Sequence, residues 1–163
     1  HPAPLAIYPL RVVLGAGVHF LLGLGIVLVF VWALHGFGNL PALVSLVPTL
    51  LLIFLFGWSL AICVGMINVL FQDTQHLVEV GLQILFYLTP IMYTADLLRS
   101  RHLEWLVGLN PLAAYLELLR QPILEGRLPP PAAVAIAATT TLLATATATL
   151  GLARMERRMI FYL

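Results

Sequence analysis

The sequence predicts an all-α fold, a polytopic membrane helical bundle of four transmembrane helices plus a pair of short re-entrant or interfacial helices. Three observations lead there. Hydrophobic residues make up 61% of the 163 positions and charged residues only 9%, with a mean hydropathy of +1.03; a water-facing globule carries roughly a quarter of its residues charged. No Asp, Glu, Lys or Arg occurs between Arg11 and Asp73, a stretch more than twice what one helix needs to cross a ~30 Å hydrocarbon core. It has to fold back once. Two more uncharged stretches, Val80 to Ala95 and Leu128 to Ala153, complete the four, all within a single transmembrane domain over residues 1–163.

The first crossing is expected at about 12–34, after a proline-rich approach (Pro2, Pro4, Pro9) and before the turn residues Gly36, Gly38 and Asn39. Pro41 suits the start of the second, at about 42–70, which is long enough to tilt or to break near Pro48. Phe71 to His76 is a polar break in which Asp73 is a credible N-cap, its charge complementing the positive end of the third helix. That helix is expected over about 74–92, ending near Thr89-Pro90. The region 95–130 is the most polar of the chain. Its apolar stretches, Leu103 to Leu109 and Leu112 to Leu124, flank Asn110-Pro111, and each is too short to cross alone. Paired re-entrant helices fit, as do helices lying on the surface. Pro129-Pro130-Pro131 then opens the last crossing, about 132–153. Its recurring Ala and Thr predict close helix contacts on more than one side, with hydroxyls bonded back to the helix or across to a neighbour.

All eight cations are arginines. With four crossings, Arg11, Arg154, Arg157 and Arg158 share one side and Arg99, Arg101, Arg120 and Arg127 the other, a tie by count. The tail arginines stand directly at a helix end, whereas the loop arginines are interspersed with acids, so we expect both chain ends to be cytoplasmic. The chain opens at His1 and reads as mid-protein, with neither an initiator Met nor a signal peptide, and a missing front is expected.

Composition excludes several functions. A net charge of +1 without a cationic cluster predicts no nucleic-acid partner. Without lysine there is no Gly-rich phosphate loop, so the chain is not expected to hydrolyse ATP. No catalytic residues and no metal site are expected. Asp73, His76 and Glu79 share one side of a helix, but a metal would need ligands from a second helix, and a wetted helix entrance explains them better. Glu79, a turn or two inside, is retained as a functional candidate because an ionisable group in a membrane helix is expensive. His19, midway along the first helix, reads either as a relay or substrate group or, more commonly, as a bond to a neighbouring helix.

Three strings together carry a resemblance. Asn68-Val69-Leu70-Phe71-Gln72-Asp73-Thr74-Gln75-His76-Leu77-Val78 precedes Leu82-Gln83-Ile84-Leu85-Phe86-Tyr87-Leu88-Thr89-Pro90-Ile91-Met92-Tyr93, and Leu109-Asn110-Pro111-Leu112 follows, with Arg120 eight residues on. In order and spacing they resemble the permease subunit of polysaccharide-exporting ABC transporters, the type 2 group that exports O-antigen, capsule and teichoic acid. The resemblance implies a six-crossing subunit of which this chain carries the last four. It would act as a homodimer in the bacterial cytoplasmic (inner) membrane with an ABC ATPase subunit that binds ATP and Mg, the chain itself holding no cofactor. It further implies that Phe71, Gln72, Asp73 and His76 form an ATPase-coupling turn, with Gln72 departing from the family's usual Arg. Thr89, Pro90, Asn110, Pro111 and Arg120 would frame a gate on the outer face. A lipid-linked glycan needs aromatics beside polar groups, which makes Tyr87, Tyr93, Tyr115 and Glu79 candidates for its path. Rival readings are an ABC permease for a drug or lipid, a membrane-embedded transferase using Asp96, His102 and Glu104, and a non-catalytic assembly subunit.

Overall fold

The computed structural model describes residues 7–36, 40–71, 73–88 and 110–159. Among them every regular element is helical. The helices are α1 (Ile7–His35), α2 (Leu40–Val44), α3 (Leu46–Leu70), α4 (Thr74–Leu88), α5 (Pro111–Arg120) and α6 (Pro131–Met159), with a π-helical turn over Gln121–Glu125 between the last two. Three spans are long and apolar enough to cross a membrane: Ile7–Leu34, Leu40–Val69 and Pro131–Arg154. They match the first, second and last expected crossings. α4, fifteen residues long, covers the first part of the third expected crossing and is not among these spans; the continuation toward residue 92 lies outside the described residues.

Local chemistry explains where the observed boundaries depart from expectation. α1 begins five residues before the expected position 12, because Pro9 falls in the first turn, where no intrahelical N–H bond is required. The second crossing breaks at Ser45, one turn before Pro48. Pro48 has no N–H to return to Val44, so the disturbance falls on the preceding turn. There the Ser45 hydroxyl donates to the Ala42 carbonyl (2.6 Å), and the Thr49 hydroxyl donates to the Ser45 carbonyl (2.9 Å). These bonds hold the backbone of the break.

The apolar stretch from Leu112 to Leu124 divides in the same way. Pro122 cannot return an N–H to Leu118, and the chain widens into the π-turn. Gly126 closes it in the left-handed conformation (φ 61°), its N–H donating to the Gln121 carbonyl.

α1 and α3 form an antiparallel hairpin, with the Phe54 ring 3.8 Å from where a Cβ on Gly17 would stand. α3 and α6 run parallel. Ser59 Oγ lies 2.9 Å from Thr145 Oγ1, Cys63 Sγ lies 3.8 Å from Thr147 Oγ1, and Met66 reaches Gly151, so positions rise together along both helices. The core sits where α3, α5 and α6 meet. Ala114, Tyr115, Leu118, Ala133 and Ala137 are buried there, with Leu52, Ile53 and Phe56 packed on them.

The last helix was expected to face protein on more than one side. Among the described residues it buries one face, Ala133, Ala137, Thr141 and Ala148, against α3 and α5, and leaves Leu142, Leu143 and Leu150 exposed.

Candidate functional site

The helix directions sort the polar residues to two ends of the bundle. Arg11 near the start of α1, the turn after α3 and Arg154 share one end. The α1–α3 connection, α2, the π-turn and the start of α6 share the other, where the π-turn packs against both α2 and α1.

At the first end, Phe71 is exposed and its carbonyl accepts the Thr74 hydroxyl (2.6 Å) and the Thr74 N–H (3.1 Å). The Asp73 carbonyl accepts the Leu77 N–H (3.3 Å), the N-cap position expected of it. Gln75 Nε2 donates to Glu79 Oε1 (3.2 Å), and His76 Nδ1 stands 3.8 Å from Glu79 Oε2. Both side chains of the latter pair are largely exposed, so it contributes little stability. Glu79 therefore belongs to the same exposed surface as Asp73 and His76. Gln72 lies outside the described residues.

At the other end, Asn110 is the N-cap of α5, its side chain accepting the Leu112 N–H (3.0 Å), with Pro111 at the first helical position. Ten residues give α5 a length of ~15 Å, half a hydrocarbon core. It presents Ala114, Tyr115 and Leu118 inward and Glu117 and Arg120 outward. Glu117 accepts a bond from Gln121 Nε2 (3.2 Å). Thr89, Pro90 and Tyr93 lie outside the described residues, as do Asp96, His102 and Glu104.

Tyr115 joins this short helix to the long ones. Its hydroxyl donates to the Ala137 carbonyl (3.0 Å) and lies 2.7 Å from Thr141 Oγ1 and 3.2 Å from Thr140 Oγ1. Its ring stacks tilted on Phe56, centroids 4.9 Å apart. The residue is only 6% exposed. The α5 end of the bundle is thus tied to α6 by hydroxyl bonds and to α3 by ring contact, and α6 is tied to α3 again at Ser59–Thr145. Composition pointed to threonine-mediated packing but gave no register for it, so it could not show that Thr140 and Thr141 meet Tyr115.

An apolar cleft of about 320 Å³ opens beside this junction, lined by Phe20 of α1, Ile53 of α3, Leu82 and Phe86 of α4, and Leu112, Tyr115, Leu116 and Leu119 of α5. Periodicity does not reveal it, since its walls come from four helices. Tyr87 is exposed next to Phe86, the two rings edge to face at 5.9 Å.

Three apolar spans in an all-helical bundle, with a short helix at one end and an exposed polar turn at the other, define a polytopic α-helical membrane protein. The profile of the ABC-2 type transporter family matches residues 2–124, and the chain belongs to that family of membrane transport subunits. It is similar to the O-antigen export system permease protein RfbA of Klebsiella pneumoniae, 31% identical over 130 residues. The corresponding protein of Myxococcus xanthus is 32% identical over 129 residues. Each match covers 77% of this chain and 48% of the relative, so the chain spans about half the length of the curated relatives it matches. No solved structure matches it.

Proposed function

We propose that the chain is the membrane-spanning part of an ATP-driven exporter that moves a lipid-linked polysaccharide of the O-antigen, capsule or teichoic acid type across the bacterial inner membrane. The observation that carries this reading is the likeness to O-antigen export permeases over three-quarters of the chain. The subunit works as a homodimer, with ATP and magnesium bound by a separate ABC ATPase. Phe71, Gln72, Asp73 and His76 meet that ATPase on the cytoplasmic side. Asn110, Pro111 and Arg120, with Thr89 and Pro90, frame the exit on the opposite side. The glycan passes by Tyr87, Tyr93, Tyr115 and Glu79.

Two features support this arrangement. The parallel course of α3 and α6 puts residues 70 and 131 at opposite ends of the bundle, which supports a further crossing that starts in α4; in this reading the chain crosses four times and both ends are cytoplasmic. The bonds among α3, α5 and α6 join these helices through Ser59–Thr145 and Tyr115–Thr141, and in this reading the two ends of the bundle shift together between conformations.

The test uses the full-length permease with its cognate ATPase. Asp73→Arg is expected to abolish permease-stimulated ATP hydrolysis and export of surface glycan while leaving membrane insertion intact. Normal stimulation removes the coupling role of the turn. Deletion of the gene should strand lipid-linked glycan inside the cell; a change in drug susceptibility with normal surface glycan favours the drug-exporter alternative.

A further inference from the structure

α4 turns a different chemistry to each of four sides. Thr74, Val78, Gly81 and Leu85, its least exposed positions, recur at three- and four-residue spacing and form the flank that packs on α3. Glu79, Gln83 and Tyr87 are exposed, four residues apart, and run along the flank opposite α3. The two remaining flanks are apolar. Leu77, Val80 and Ile84 are exposed on one of them. At about 100° per residue, Leu82 and Phe86 fall on the side of α4 opposite those three, and there they line the cleft of about 320 Å³. The cleft therefore adjoins the polar flank and lies away from the outward apolar one.

The walls of the cleft are almost wholly apolar. Tyr115 brings a hydroxyl to the lining residues, but α6 holds it, at the Ala137 carbonyl and Thr141 Oγ1. A sugar entering the cleft would lose its bonds to water and find no replacement. A dry apolar cavity of about 150 Å³ takes one benzene ring, so this cleft has room for on the order of a dozen chain carbons. It is smaller than a single turn of a helix 10 Å across, ~420 Å³, and does not seat another membrane helix.

A molecule that matches an apolar cleft and a polar flank on neighbouring sides of one helix joins a hydrocarbon chain to a hydrogen-bonding one. We propose that the cleft seats part of the hydrocarbon tail of the lipid that carries the glycan, while the glycan itself runs along Glu79, Gln83 and Tyr87. This rests on the export function proposed for the chain and adds to it a tail site and a further glycan-facing residue, Gln83. A tail that leaves the bilayer for an apolar cleft gains packing but no hydrophobic free energy. What holds it there is the glycan bound alongside, which raises the local concentration of the tail. Ordinary bilayer acyl chains lack that tether and meet α4 on the opposite side, at Leu77, Val80 and Ile84.

The experiment uses the full-length permease with its ATPase in vesicles of phosphatidylethanolamine and phosphatidylglycerol. One of two photoreactive probes is added: a lipid-linked oligosaccharide with a diazirine midway along its tail, or phosphatidylethanolamine with a diazirine on an acyl chain. Mass spectrometry after illumination should place the first at Leu82, Phe86 and residues 112–119, and the second at Leu77, Val80 and Ile84. Leu82→Trp, which fills the cleft, should lower tail labelling of α5 about tenfold. Gln83→Leu, which loosens the glycan, should lower it about three- to tenfold, and Tyr115→Phe, which keeps the ring, should leave it unchanged. Equal labelling of the cleft by both probes, a cleft free of tail adducts while export continues, or labelling indifferent to Leu82→Trp would overturn the tail site and leave the export function standing. A lipid-linked oligosaccharide that neither binds the complex nor stimulates ATP hydrolysis would overturn that function, and the tail site with it.

Discussion

Tyr115 and Gly151 are two of the points where the helices meet. The Tyr115 hydroxyl and ring do separable work, the hydroxyl on α6 and the ring on Phe56 of α3. Tyr115→Phe removes the hydroxyl but leaves Thr141 donating to the Ala137 carbonyl (2.7 Å), so no backbone acceptor is stranded; a loss of about 1 kcal/mol is expected. Tyr115→Ala also empties a buried ring site and should cost about 3 kcal/mol or more. Thermal unfolding in detergent measures both, and equal losses would show that the ring contributes nothing. At Gly151, a Cβ would fall 2.5 Å from Met66 Cε and 2.9 Å from Sδ. Those atoms are the movable end of a thioether, so Gly151→Ala should stay within about 1 kcal/mol of the parent. Gly151→Leu leaves Met66 nowhere to go and should cost roughly 2 kcal/mol, with partial rescue by Met66→Ala. Failure of that rescue would locate the strain elsewhere.

At the level of elements, α5 with its π-turn is a short helical unit defined at both ends. Asn110 caps the start, and the left-handed Gly126 ends the turn. Asn110→Ala should cost about 1 kcal/mol, with Asn110→Asp close to neutral. Gly126→Ala should cost about 1–2 kcal/mol, because a Cβ disfavours φ 61°. The two sites act on opposite ends of the unit, so the double variant should lose the sum within about 0.5 kcal/mol. A clearly smaller loss would mean that the ends are coupled, with one substitution already melting the unit. Proline chemistry accounts for two interruptions, at Ser45 and at Gln121. In both, a proline without an N–H alters the turn before it.

For the whole molecule, the parallel pairing of α3 and α6 puts Asp73 and Arg154 at one end of the bundle and Glu125 and Arg127 at the other. Single cysteines at these positions, in a Cys63→Ser background, should react with an impermeant maleimide from opposite sides of oriented membranes. Labelling of Asp73→Cys and Arg127→Cys from the same side would refute a parallel α3 and α6 that both cross. The bundle is also unevenly joined. α3, α5 and α6 share a buried core and hydroxyl bonds, whereas α1 is exposed along most of its length, meeting α3 where Gly17 admits Phe54.

Hydrophobicity and the spacing of charges were enough to determine the environment of this chain, its helical class and the positions of α1, α3 and α6. A bilayer demands about twenty uncharged residues with every backbone bond closed within the helix, and that demand is local and readable. Asn110, Pro111 and Asp73 were legible for the same reason, since capping acts over a few residues. Tertiary structure alone decided the direction of α6 against α3, the partners of Tyr115 and the cleft walled by four helices. Helix-to-helix register depends on which side chains interlock across long sequence separations, and an all-round apolar helix carries no stripe to say which face it will use.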